Sequence, residues 1–325
     1  MDGSIRPLSR RAFVRGALVT TVAAAAGAAR PIHETIARGA AVADELPALS
    51  VHDPVVGVAA RDGRLLAVGG HTAAPRAWAL AREASAWQAV AGDGAFPAAT
   101  SLLDVAASST GFVAAGWRET SDGPRPSLLA SGDGTSWEPA DVPPVGNGIC
   151  LAVAAKQGTA LAVGSTFHEA DVREPQRAVA FVSDIAGGWA EVPLDGLAAP
   201  THGAVTMLAT VRDAFLLATV DVAGSRLFAS TSATGPWRGV ATPKADQLVS
   251  LVAAADTSAG VLLAGIDALD RPRFWLDGAR GWRETAAPAG IAAVSHVVGF
   301  ARTPAALVAA GSDAAGSFVE EVTAA

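Results

Sequence analysis

The 325-residue chain has no tyrosine, a single cysteine and fewer basic than acidic residues. The missing tyrosine excludes a tyrosine nucleophile. The lone Cys150 excludes an intramolecular disulfide, and beside the run LAVAA it is expected to pack as a small buried side chain. The formal charge of −7 argues against a general nucleic-acid surface, since that affinity comes mainly from Lys and Arg.

Common catalytic motifs are also missing. The sequence contains no HExxH, no GxSxG, no phosphate loop and no paired CxxC motifs. It therefore predicts no catalytic residue, no cofactor and no metal. The segment from His168 to Asp171 offers three potential metal ligands, but without a fixed geometry it is only a weak alternative.

The N-terminus has the features of an export signal. The segment SRRAFVR, from Ser9 to Arg15, resembles the twin-arginine consensus, and an uncharged run follows it from Gly16 to Ala29. That run is shorter than the ~20 residues of a membrane span, and no cysteine lies nearby to carry a lipid. We expect residues 1–43 to be a signal peptide and linker, cleaved after Ala28 or Ala43. The alternative is a basic patch beside an alanine-rich helix.

An apolar run that ends in a small residue recurs six times along the rest of the chain. The runs end at Gly69, Gly116, Gly164, Thr219, Gly265 and Gly311, so the intervals are 47, 48, 55, 46 and 46 residues. Each run is preceded by one apolar stretch and followed by another. Five repeats then add a tryptophan that opens a fourth stretch: Trp87, Trp137, Trp189, Trp237 and Trp282.

Four short strands per repeat, at this period, are typical of β-propeller blades. The sequence predicts an all-β, six-bladed propeller of four-stranded antiparallel blades over residues 44–325. A pair of β-sandwiches is the alternative, which the regular period disfavours. The sixth repeat ends after three strands, at Val322, so we expect the segment Ala48–Val51 to supply its fourth strand and close the ring.

The turn between the third and fourth strands of the second repeat reads SGDGTSW, from Ser131 to Trp137, and resembles the Asp-box of sialidase-like propellers. Weaker copies are Ser183–Trp189 and Ser230–Trp237. We expect the Asp and Gly residues to hold a hairpin turn and the tryptophan to be buried between blades. Because strands alternate in direction, the boxes lie on the face opposite the loops between second and third strands.

The resemblance implies that a working site would lie on that opposite face. Sialidases act there with a tyrosine nucleophile, a glutamate that activates it, an aspartate acid/base and three arginines. This chain lacks tyrosine, so those catalytic roles are not carried over. A two-carboxylate glycosidase is an alternative. The candidates are Glu119, Glu169, Asp171, Asp221, Asp267 and Asp270. The alternative interpretation is that these loop carboxylates are simply solvated surface charges.

The same face carries an arginine at the entrance to the third strand in five repeats. These residues are Arg76, Arg125, Arg177, Arg226 and Arg273. A ring of guanidinium groups suits a ligand that bears carboxylates, whereas pairing with neighbouring loop carboxylates would only brace the loops. Trp117, Arg118 and His168 belong to the same loop layer, and Trp117 suits stacking on a sugar. Together these residues form the predicted ligand-binding set.

The sequence thus favours an exported, monomeric propeller that acts as a non-catalytic binding or interaction module in the cell envelope or outside the cell. The expected partners are a carbohydrate such as an acidic glycan, a cell-wall component or another exported protein, with neither nucleic acid nor membrane involved after signal removal. A secreted hydrolase that acts on glycans through the loop carboxylates is the main alternative. A purely structural extracellular protein is a third.

Overall fold

The computed structural model describes residues 49–322 except 52, 72–73, 82–85, 92–93, 169–170, 184–187, 195–203, 222–223, 245–248, 270, 279–280, 292–295 and 314–315. The predicted signal and linker, residues 1–43, lie outside this range. Within it, the chain forms six four-stranded antiparallel sheets. Among the described residues, no helix is long and apolar enough to span a membrane.

The first two strands of every blade are long and apolar. The first strands are β2 (Val55–Arg61), β6 (Thr100–Ala107), β10 (Gly148–Lys156), β14 (Ala204–Val211), β18 (Val249–Thr257) and β22 (His296–Arg302). The second strands are β3 (Arg64–His71), β7 (Phe112–Thr120), β11 (Thr159–His168), β15 (Ala214–Asp221), β19 (Gly260–Asp267) and β23 (Leu307–Asp313). These strands are covered on both faces by neighbouring blades, which explains their nearly continuous apolar composition.

The third and fourth strands complete each blade towards the periphery. The third strands are β4 (Ala74–Leu80), β8 (Gly123–Ser131), β12 (Asp171–Ser183), β16 (Gly224–Ser230), β20 (Pro272–Gly278) and β24 (Gly316–Val322). The fourth strands are β5 (Gln88–Ala91), β9 (Glu138–Pro139), β13 (Trp189–Val192), β17 (Arg238–Val240), β21 (Gly281–Thr285) and, in the sixth blade, β1 (Leu49–Val51).

The ring closes as the sequence predicts. Strand β1 pairs antiparallel with β24, with Leu49 opposite Val319 and Val51 opposite Ser317. The hydroxyl of Ser317 also accepts a hydrogen bond from the N–H of Val55, the first residue of the first blade, at 3.1 Å. The last blade therefore combines the first and the last described strands, and this pairing covers an edge of each.

Each first strand contains a β-bulge at the same point. The pairing with the second strand skips one residue in every blade, and these residues are Val56, Leu103, Leu151, Thr206, Val252 and Val298. A bulge bends its strand and increases the local twist. Six bulges at one level give the inner wall of the propeller a repeated geometry, and the residue that follows each bulge lies against the next blade.

The core consists of clusters between neighbouring blades. Between the first two blades, Leu66 and Val68 pack against Phe112, Leu129 and Trp137, all of which are buried. The Trp137 ring stacks on Phe96 with centroids 5.6 Å apart. Tryptophans of the outer turns therefore fill the space between blades, as the Asp-box resemblance implies for its first copy.

Candidate functional site

The turn Ser131–Trp137 of the second blade, which resembles an Asp-box, is a compact hydrogen-bonded unit. Asp133 accepts bonds from the backbone N–H and the hydroxyl of Thr135, at 2.8 and 2.7 Å. The hydroxyl of Ser131 accepts the N–H of Gly134 at 2.8 Å, and Trp137 Nε1 donates to the Gly134 carbonyl at 3.2 Å. Every one of these bonds lies within the turn, which supports its predicted structural role.

The five predicted ring arginines all lie beside carboxylates. The ion pairs are Arg76 Nε–Asp53 Oδ2 at 3.0 Å, Arg125 Nη2–Asp122 Oδ2 at 3.7 Å, Arg177 Nη1–Glu191 Oε1 at 2.5 Å, Arg226 Nη2–Asp221 Oδ2 at 2.9 Å and Arg273 Nε–Glu284 Oε1 at 2.5 Å. These contacts support the bracing interpretation. We call these five residues the rim arginines. An acidic ligand that binds them has to compete with the carboxylates already paired with them. The ligand-binding role of the ring therefore stays a prediction.

The other predicted ligand residues are Trp117, Arg118 and His168. Trp117 is half-buried and packs against the small cluster of Leu103, Ile149 and Phe167. Arg118 is exposed and lies opposite Arg125 in the strand pairing. His168 ends β11, and its side chain lies outside the described part of the structure. Trp117 and Arg118, which are neighbours on β7, thus differ in their surroundings, and the ligand-binding role of the three residues stays a prediction.

The loop carboxylates of the hydrolase alternative are largely neutralised where they are described. Asp221 pairs with Arg226, and Asp267 accepts bonds from Arg271 Nε at 2.9 Å and from the N–H groups of Leu269 and Arg271. Burial opposes ionisation of Asp267, but these bonds hold its pKa below its ordinary value. Glu119 is exposed, and Glu169, Asp270 and the side chain of Asp171 lie outside the described residues.

The inner strands enclose a channel along the propeller axis. Its cavity has a volume of about 480 Å³ and is lined by the first strands of all six blades. Alanine, valine and leucine make up most of the wall, because large side chains do not fit where six sheets converge. The ionisable residues among the lining are Asp104, Asp267 and His296, while Lys and Arg are missing from it in the part of the chain that the structure describes.

Asp104 lies in the middle of β6, at the first position after the bulge. Its Oδ1 accepts the N–H of Val105 at 2.8 Å, and its Oδ2 accepts the N–H of Val153, in the next blade, at 2.9 Å. Burial raises the pKa of Asp104 to about 7, although the bonds from Val153 and Val105 act in the opposite direction. The channel therefore contains a carboxyl group that changes charge near neutral pH.

The blade before Asp104 leaves room for this carboxylate. Gly57 holds the equivalent position in the first blade, and a Cβ there would lie 2.9 Å from the nitrogen of Val105 and 3.0 Å from Asp104 Oδ1. Gly299, the equivalent residue of the sixth blade, has no such neighbour, since its nearest contact would be at 3.7 Å. Close packing thus makes glycine necessary beside Asp104 but not at the matching position in the sixth blade.

Two further polar atoms on the channel wall have no hydrogen-bond partner among the described residues. They are Thr206 Oγ1, at the bulge of the fourth blade, and His296 Nδ1, at the start of β22. Buried polar atoms without partners are uncommon in folded proteins. Both atoms are buried within the wall, so they do not face the open space of the channel. Asp104, Thr206 and His296 belong to alternate blades, so they approach the channel from three sides.

Sequence reasoning missed Asp104 and the channel. The stretch LLDVAA, residues 102–107, is one of the six apolar stretches that precede the recurring runs, and the apolar pattern does not single out its acidic residue. When the six first strands are aligned at their bulges, the residue after the bulge is Asp104 in the second blade. The other blades have Gly57, Ala152, Met207, Ala253 and Gly299 there. Asp104 is the one ionisable residue of the set.

Within the described residues, no group of three or more His, Cys, Asp or Glu side chains could hold a metal ion.

Comparisons with known proteins identify the fold. No protein-family model matches the sequence, and no curated protein matches it. The structure of YjhT shares 13% identity over 86% of this chain and 95% of its own, with a TM-score of 0.58. The PQQ-bound aldose sugar dehydrogenase of Streptomyces coelicolor shares 14% identity over 87% and 97%, with a TM-score of 0.54. Trypanosoma rangeli sialidase shares 11% over 84% and 55%, also at 0.54. At such identities the likeness shows a common propeller fold alone.

Proposed function

We propose that the protein is a non-catalytic binding protein that takes a small molecule into its central channel. The observation that carries this proposal is the makeup of the channel wall: a mostly apolar surface that contains the carboxyl group of Asp104 and, among the described residues, no Lys or Arg. Concave, mostly apolar cavities with a few convergent polar groups are the usual form of small-molecule sites.

Arginine contacts of the described loop carboxylates favour binding over hydrolysis. Glycoside hydrolysis needs two carboxyl groups about 5–10 Å apart in one pocket. Asp221 and Asp267, the candidate loop carboxylates whose contacts are described, each hold an arginine instead. The described lining of the channel contains two carboxylates, Asp104 and Asp267, and Asp267 is bonded to Arg271.

We also propose export by the twin-arginine route, with function in the cell envelope or outside the cell. The support is the match at residues 9–15 together with Cys150, which is buried and unpaired and so requires no oxidising compartment. Replacing Arg10 and Arg11 by Lys should retain the folded protein in the cytoplasm. Unchanged secretion of that variant contradicts the export proposal.

A ligand screen with the purified protein tests the binding proposal. Saturation-transfer NMR against amines, monosaccharides, uronic acids and small cell-wall fragments detects binding, and mass spectrometry of the same mixtures detects products. Val252→Phe narrows the channel at a partly exposed wall position, whereas Val240→Phe makes the same change on an outer strand, where Val240 is 38% exposed.

We expect binding without product, lost in Val252→Phe and kept in Val240→Phe. Product release in the wild type favours the hydrolase instead. Binding that survives Val252→Phe places the site elsewhere, and the loop face, with its predicted carbohydrate ligand, is then the next candidate.

A further inference from the structure

We infer that the channel selects a small organic cation, a protonated amine on a compact apolar body, with the carboxylate of Asp104 as its counter-ion. This inference rests on the proposed function, since it names the class of ligand for the same channel. The ionisable residues of the described wall are Asp104, Asp267 and His296. Asp267 already has Arg271 Nη2 at 2.8 Å and Arg273 Nη1 at 3.7 Å, whereas no Lys or Arg lines the described channel to pair with Asp104.

The strands packed on either side of Asp104 do not supply a cation either. From β2 the residue that faces it is Gly57, and from β10 it is the backbone of Val153. Arg61, at the end of β2, pairs with Asp62 and donates to the carbonyl of Ser109. These contacts engage Arg61 at the turn end of its strand.

Lys156, at the end of β10, is also engaged away from the channel. Its ammonium group donates to the backbone carbonyls of Asp213 and Thr231, which belong to the fourth blade. The other titratable groups of the channel are Asp267 and His296. Within the described residues, Asp104 is therefore a carboxylate without a positively charged partner.

The carboxylate is oriented and still has room for a donor. The bonds from Val105 and Val153 use one acceptor site on each oxygen, and a carboxylate oxygen has two. An ammonium group can therefore add to a group whose direction is already fixed. A bound cation also removes the cost of an uncompensated charge in an apolar setting, the cost expressed in the raised pKa of Asp104.

The wall around Asp104 decides between an organic cation and a metal ion. A metal such as Ca²⁺ takes six to eight oxygen ligands, and the described residues provide no cluster of that kind. Alanine, valine and leucine side chains instead suit an apolar body, and the cavity of about 480 Å³ accommodates a molecule with a single ring.

Three probes of similar shape test the charge selection: benzylammonium, benzyl alcohol and benzoate, titrated calorimetrically into the purified protein. Above neutral pH we expect benzylammonium to bind at least about tenfold more tightly than benzyl alcohol, since charge-assisted hydrogen bonds are roughly twice as strong as neutral ones. Benzoate should be excluded. Below pH 7 the affinity for benzylammonium should fall about tenfold per pH unit, because Asp104 must lose its proton to bind the cation.

The matched variants are Asp104→Asn and Asp133→Asn, the same change at a channel position and at an exposed position of one blade. The first should abolish the preference for benzylammonium and the second should keep it. If Asp104→Asn does not fold, the wild type still decides the question. Cation binding near pH 6.5 should release up to about three-quarters of a proton, because a group with a pKa of about 7 is protonated to that extent at this pH. The release is measured as the difference in heat between two buffers of unlike ionisation enthalpy.

Equal affinity for benzylammonium and benzyl alcohol, or binding without proton release, overturns the inference and leaves channel binding intact. If none of the three probes binds, the inference is overturned as well, while the ligand screen with Val252→Phe judges the proposed function separately.

Discussion

Two aspartates of the second blade show how position controls a carboxyl group. Asp133, in the exposed turn Ser131–Trp137, and Asp104, in the channel, both accept backbone N–H bonds. Bonds from the backbone and hydroxyl of Thr135 hold the pKa of Asp133 below its ordinary value, whereas burial raises that of Asp104 to about 7. Similar hydrogen bonds therefore accompany opposite shifts, because Asp133 lies at the exposed surface whereas Asp104 is set into the apolar wall of the channel.

The largest expected effect concerns the tryptophan that the exposed turn anchors. Trp137 is 4% exposed and stacks on Phe96, so Trp137→Ala should lower the free energy of unfolding by ~3–5 kcal/mol through loss of buried aromatic surface and a residual cavity. Urea denaturation measures this loss. Trp282→Ala, at a half-buried tryptophan of the fifth blade, is the control and should cost less. Equal losses would show that burial does not set the role of these tryptophans.

The second effect is the pH dependence that Asp104 contributes to stability. Its raised pKa means that the folded protein holds this proton more tightly than the unfolded chain does. Stability from this group is therefore full below about pH 4 and is lost as the pH rises towards about 7, by up to ~1.4 kcal/mol per pH unit. The difference in unfolding free energy between wild type and Asp104→Asn should follow this slope between those limits. A flat difference contradicts the burial of Asp104.

The third effect tests the packing beside Asp104. A methyl group at Gly57 meets Val105 and Asp104 at 3.0 Å or less, so Gly57→Ala should cost ~1–3 kcal/mol by overpacking. Gly299→Ala makes the same change where the nearest contact is 3.7 Å, and it should be neutral or slightly stabilising. Thermal melts of the two variants compare the sites directly. A tolerated Gly57→Ala would mean that Asp104 is held loosely.

The fold was far more predictable from the sequence than the channel site. A regular period reports repeated local structure, so six blades and the closing strand, observed at Leu49–Val51, follow from pattern alone. The surroundings of Asp104 come instead from other blades: its acceptor contact with Val153 spans 49 residues of sequence. The partners of the rim arginines were similarly undetermined, because a loop carboxylate and a ligand carboxylate satisfy a guanidinium group equally well.

The smallest effect returns to the exposed aspartate. Asp133→Ala removes two bonds from Thr135, but water replaces them readily at an exposed site, so the loss should be only ~1 kcal/mol. Because the pKa of Asp133 is lowered on folding, its contribution to stability is present above the ordinary pKa and disappears as the pH falls below it.

The matched control is Asp122→Ala, at an aspartate of the same blade whose side chain is 74% exposed, and it should cost still less. Urea denaturation at neutral and acidic pH measures all three proteins. If Asp133→Ala lost ligand binding while its stability stayed unchanged, the turn would be part of the site, and the division between a structural periphery and a functional channel would fail.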